Sequence, residues 1–304
     1  MRKVIGALIL VLLIVSVVVA AAVGERAPGK RALPGRDKIG VVYIQGIITT
    51  QEVSGGLFSS GTDSVRGIVD ALHRAEDDDS IKAVVLRIDS PGGSAAASQE
   101  VAAAVKRVKE AGKKVVVSMG DVAASGAYWI AVDADRIFAD PATLTGSIGV
   151  IVETVELAGL YGKIGVNKEV VKSGPYKDMG SESRPMTPQE RVIFQAMVDD
   201  IYNQFVDQVA KGRKMPRNKV LQFADGRVFT GRQAKAAGLV DTLGDSHDAV
   251  REAGRLAKIE GEPEVIDLGP AGFWSMLTKN VAGRAPFSSE VMPGWLLCYP
   301  LTQR

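Results

Sequence analysis

Three short stretches of this chain carry side chains that could do chemistry together. Ser125 lies in AASGA (123–127), where an apolar strand-like run gives way to a short helix-like one. Acyl transfer needs a nucleophile, a group to take its proton and N–H donors aimed at the developing oxyanion. Small neighbours let a substrate approach Ser125, and a serine entering a helix has free backbone N–H groups beside it. The same residues suit a close-packed turn with a capping serine, so AASGA alone leaves two readings.

DSPGGS (89–94) offers the donors, because Gly92 and Gly93 can present N–H groups where a side chain would obstruct a carbonyl. Pro91 stiffens the loop, and a tight strand-to-helix turn is the alternative reading. The proton acceptor discriminates most. His73 sits on a charged helical segment and His247 on a late polar one, and the two have no metal-ligand spacing. A lysine can serve when burial disfavours its ammonium form. Lys177, in KSGPYKDMGS (172–181), is the best candidate, since it follows strand-like KEVV in a loop that could fold over a sheet edge. A solvated loop lysine is its plain alternative.

These residues need a scaffold, and the pattern around them supplies one. IGVVYIQGII (39–48), AVVLRI (83–88), KVVVSM (114–119), RIFA (136–139), SIGVIVE (147–153), KEVVKS (168–173) and EVIDL (264–268) read as strands. Helices are expected after Asp63, where Val65, Ile68, Val69 and Leu72 share a face, and over 95–112, 154–164, 219–223, 231–237 and 246–258. TPQE (187–190) announces another that runs to about Gly212, with a cap, a first-turn proline and a capping-box glutamate. Alternation of this kind argues for parallel βαβ layers. DSPGG and AASGA each end a parallel strand, so they share the sheet edge where open α/β sheets place their sites.

Length and composition agree. A chain of 304 residues with 46% hydrophobic content can bury a sizeable core. Net charge is +2, from 37 basic and 35 acidic side chains mixed along the chain, which argues against nucleic acid as a partner. Cys298 is the single cysteine, so no intrachain disulfide forms. At the N-terminus Arg2 and Lys3 precede an apolar run from Val4 to Val23, long enough at about 1.5 Å per residue to cross a bilayer core of about 30 Å. Residues 1–24 are therefore expected to be a transmembrane signal-anchor, 25–38 a Pro-containing linker, 39–268 the globular domain and 269–304 a tail. The orientation favoured is N-terminus inside, with the domain on the extracytoplasmic side of the cell membrane.

The set DSPGG, MGDVAASGAYWIA, LTGSIGV, KSGPYKDMGS and ADGRVFTGRQAKAAGLVDTLG, in this order behind an apolar N-terminus, resembles the signal peptide peptidase A family. These are membrane-bound Ser/Lys peptidases of the Clp/crotonase-like fold, built of repeated ββα layers. The resemblance runs from about Ile39 to Arg255. It implies Ser125 as nucleophile and Lys177 as general base, with Ser147 orienting the lysine and the deacylating water. It also implies oxyanion N–H groups from Gly93 and Gly126, Gly92 being the alternative. Ala127 departs from the family, which more often has glycine there.

The function expected is a serine endopeptidase that degrades residual signal peptides and other apolar segments through an acyl-enzyme, with no metal or organic cofactor. Its expected partners are those peptides, membrane lipid around the anchor, and further copies of itself in a ring whose neighbouring subunits complete each groove. A crotonase-type acyl-CoA enzyme and a noncatalytic peptide-binding scaffold are the rival readings.

Overall fold

The computed structural model describes residues 37–50 and 65–269. The expected anchor (1–24), most of the linker, the Asp63 cap and nearly all of the tail lie outside them, and among the described residues no helix is long and apolar enough to cross a membrane.

In chain order the first elements are β1 (Lys38–Ile48), α1 (Val65–Asp77), β2 (Ile81–Gly93), α2 (Ala95–Glu110), β3 (Lys114–Ala124) and α3 (Gly126–Ala131). There follow β4 (Arg136–Ala139), β5 (Leu144–Gly146), α4 (Ala158–Lys163), α5 (Pro188–Gly212) and α6 (Arg217–Val220). The last are β6 (Val228–Thr230), α7 (Gly231–Ala237), β7 (Thr242–Leu243), α8 (Ser246–Leu256) and β8 (Glu264–Asp267).

The strands form one eight-stranded sheet in the order β6-β5-β3-β2-β1-β8, with β4 also paired to β3 and β7 paired to β4. Every pairing is parallel except β5 with β6. The alternation along β2 explains why helices cover both faces. Val84, Leu86 and Ile88 point into a large cluster that also holds Leu72, Val101, Val105 and Tyr128, from α1, α2 and α3. Ala83 and Val85 point the other way, onto Ala249 and Ala253 of α8.

Strand β3 is divided between two neighbours. Val116 to Met119 pair with β4, whereas Val122 to Ala124 pair with β5. A bulge at the changeover shifts the register against β2, from Ile88 opposite Met119 to Ser90 opposite Ala123. Asp89 holds this kink, accepting a hydrogen bond from the Val122 N–H at 3.1 Å. The kink keeps the last residues of β2 and β3 side by side.

The structure departs from the sequence expectation after Gly146. Residues 147–157 and 164–173 form no strand, and the helix expected over 154–164 shrinks to Ala158–Lys163. Ile151 is 85% exposed and Val171 96%. Period-two apolar alternation makes a strand only when another strand takes up its backbone groups, and among the described residues none does. The helix begun by TPQE has both reciprocal bonds of a capping box between Thr187 and Glu190, as expected.

Candidate active site

Ser125 sits between the end of β3 and the first turn of α3 at φ 53°, ψ −121°, a backbone conformation unusual for a residue with a side chain. Its hydroxyl makes no capping bond. The capping-serine reading therefore fails, and the Oγ is left for other work. Two backbone bonds hold the residue there: the Ser125 N–H donates to Gly146 O, and its carbonyl accepts from the Trp129 N–H, both at 2.9 Å. All six residues of α3 are buried, and the Tyr128 hydroxyl donates to Leu239 O at 2.8 Å. The serine thus stands on a rigid base. Ala127 is fully buried, so the departure from glycine falls in the core.

The PGG turn packs directly against this serine. A Cβ on Gly92 would come within 2.7 Å of Gly126 N, and one on Gly126 within 2.3 Å of Ser98 Oγ and 3.3 Å of Gly93 N. No side chain fits between the two turns, which leaves backbone N–H groups facing that space. The Gly92 N–H is engaged by Ser90 Oγ at 3.1 Å. Gly126, the first residue of α3, has an N–H without an intrahelical acceptor.

Ser147 arrives from the other side. Its N–H donates to Arg227 O at 2.9 Å and its φ is 49°. Ser125, Ser147, Gly93 and Gly126 line one cavity of about 630 Å³, whose remaining wall includes Trp129, Val150, Ile151, Ile201, Tyr202 and Phe205. This second group was not foreseen from the sequence, although the helix running from TPQE to about Gly212 was. What was missing was its destination. The Tyr202 hydroxyl donates to Ala224 O at 2.6 Å, fixing α5 to the loop that closes the cavity floor.

Lys177 is not among the residues that line this cavity. It lies exposed in a turn, its N–H donating to Gly174 O at 3.3 Å. Within a single chain, then, four of the five expected site residues come together and the lysine stays apart. Nor do the described residues of the cavity offer a substitute base. The carboxylate among them, Asp225, is bound by the Arg227 guanidinium and lowered to about 2, which makes it a feeble proton acceptor at neutral pH. His73 and His247 are exposed residues of α1 and α8 and do not line it. Asp245, His247 and Asp248 cluster closely enough to hold an ion, but Asp245 and Asp248 bond reciprocally as the capping box of α8.

With the geometry in place, comparison with known proteins is informative. The model of peptidase family S49 matches residues 107–260, and that of Clp protease matches 57–143, consistent with a Clp-like fold. A candidate protease of Synechocystis sp. is 45% identical over 217 residues, 71% of this chain and 76% of that protein. Protease 4 of Salmonella typhi is 39% identical over 84% of this chain, which spans 41% of it. A candidate signal peptide peptidase of Enterococcus faecium is 38% identical over 70% of this chain and 62% of its own length. Relatives of this kind set aside the acyl-CoA and scaffold readings. The chain belongs to peptidase family S49 and is a serine protease.

Proposed function

We propose that the protein is a membrane-anchored endopeptidase that clears residual signal peptides and other apolar segments through a Ser/Lys dyad. One observation carries the reading: an uncapped Ser125, held at φ 53° beside two glycine N–H groups, opens into a cavity walled by Trp129, Ile201 and Phe205. Such walls suit apolar peptide side chains, and a peptide is recognised by its backbone as well.

In this mechanism Ser125 Oγ attacks the peptide carbonyl carbon, and its proton passes to Lys177 Nζ. The N–H groups of Gly93 and Gly126 stabilise the oxyanion. The lysine then protonates the leaving amine, and a water positioned with help from Ser147 hydrolyses the acyl-enzyme. Because one chain holds Lys177 away from its own cavity, the lysine that serves Ser125 comes from a second copy. Exposed apolar side chains along 150–171, among them Ile151, Val155, Ile164 and Val171, support such an interface. On this reading the copies form a ring of Clp/crotonase-like domains with repeated ββα layers. Residues 1–24 anchor it to the membrane, with the catalytic domain on the extracytoplasmic side.

The test is cleavage of an apolar signal-peptide segment by the wild type, Ser125→Ala, Lys177→Ala, and a co-assembled mixture of the two variants. Each variant alone is expected to be inactive and the mixture to recover turnover, since one copy supplies the serine and another the lysine. An inactive mixture would locate the dyad within one chain. Activity in Lys177→Ala would remove the lysine from the mechanism.

A further inference from the structure

The segment bearing Lys177 is mostly exposed, yet one side-chain cluster in it is tightly built. Arg184 donates to Asp178 through Nε (3.0 Å to Oδ2) and Nη2 (2.8 Å to Oδ1). It also donates to Glu190 through Nη1 (2.9 Å to Oε2) and Nη2 (2.5 Å to Oε1). Lys172 completes the cluster, with Nζ 2.7 Å from Asp178 Oδ1 and 3.2 Å from Pro175 O. The Glu190 side chain is only 2% exposed and that of Asp178 12%. Exposed ion pairs contribute little, but a doubly forked arginine between two shielded carboxylates is the geometry in which they do contribute.

The cluster has a direction. Glu190 belongs to the first turn of α5, where its Oε2 also accepts from the Thr187 N–H at 2.8 Å. Asp178 is the immediate neighbour of Lys177. Arg184 therefore ties the backbone that carries the lysine to the helix whose Ile201, Tyr202 and Phe205 wall the cavity.

We propose that Arg184, by bridging Asp178 and Glu190, is a positioning residue for Lys177: it fixes the lysine turn to α5. The inference rests on the reading of Lys177 as the general base. Neither Arg184 nor Asp178 touches substrate in this account, so substrate binding is left intact while the proton-transfer step slows.

The experiment compares full-length Arg184→Gln, Arg184→Lys and Asp178→Asn with wild type and Lys177→Ala. It measures kcat and KM on an apolar peptide, with assembled mass and thermal midpoint recorded for each. Arg184→Gln is expected to lower kcat about 10- to 100-fold, the scale of a misplaced catalytic group, with KM within about twofold. Arg184→Lys, which keeps the charge but not the fork, is expected to recover part of the loss. Wild-type kcat in Arg184→Gln beside an inactive Lys177→Ala would overturn the clamp and leave the dyad standing. An active Lys177→Ala would overturn the dyad and the clamp with it. Should Arg184→Gln change in mass or melt early, Asp178→Asn decides: lowered kcat at unchanged KM supports the clamp, and wild-type kcat overturns it.

Discussion

The Trp129 and Phe205 rings stack with centroids 4.7 Å apart and planes 27° apart. This contact joins α3, which begins immediately after Ser125, to α5, which walls the cavity and carries Glu190 in its first turn. Ser125, the cavity wall and the Lys177 turn are thereby linked through one helix.

Phe205 is only 2% exposed, so Phe205→Ala should cost about 3–5 kcal/mol of stability. It should also raise KM for peptides with a large apolar residue near the cleavage site. A urea-unfolding curve and a short substrate series check both effects. An unchanged midpoint would mean that the α3–α5 contact contributes little.

The Ser125 backbone makes a second prediction. A side chain at φ 53° carries strain of about 1–3 kcal/mol, whereas glycine adopts positive φ freely at an entropic cost of about 0.5–1 kcal/mol. Ser125→Gly and Ser125→Ala should both be inactive, with the glycine variant more stable than the alanine variant by about 1 kcal/mol. Equal unfolding midpoints would show that the positive φ stores no strain.

A Cβ on Gly93 would fall 2.1 Å from Ile48 O. Gly93→Ala must shift the PGG turn and its N–H, and loss of one oxyanion donor is worth about 10²–10³ in kcat. Steady-state kinetics on a folded variant tests this. Wild-type kcat would remove Gly93 from the oxyanion site.

The Arg184 cluster predicts an acid-labile segment. Arg184 and the Thr187 backbone hold Glu190 down from the ordinary 4.5 to about 2, and Arg184 and Lys172 hold Asp178 well below its usual range. For a carboxyl depressed on folding, the stabilisation is fully present above the unfolded value and is lost as pH falls through the folded one. Pepsin cleavage within 172–190 should therefore accelerate as pH drops from about 4.5 toward about 2, ahead of cleavage in β2. Arg184→Gln should remove that pH dependence.

Much of this site was legible in the sequence because its determinants are local. A glycine pair after a buried strand, a serine between strand and helix, and TPQE before an apolar helical face each specify a turn or cap through nearest neighbours. Both turns appear at adjacent strand ends as the parallel reading required. The short strands β5, β6 and β7, of two or three residues each, are too brief for any period to register. They form by pairing alone: β5 takes the end of β3 after its bulge, β6 pairs with β5, and β7 pairs with β4.

By itself the sequence determined the parallel α/β layering, the serine turn and the glycine turn, since these follow from backbone periodicity and from where a side chain cannot fit. Tertiary structure decided two things. It turned α5 into a cavity wall and bound the lysine turn to that helix through Arg184, Asp178 and Glu190. It also decided against strands over 147–157 and 164–173, where the alternating pattern finds no partner among the described residues. Each of these depends on which backbone or charge from another segment comes within reach, and that is set by how the elements pack and not by nearest neighbours in the sequence.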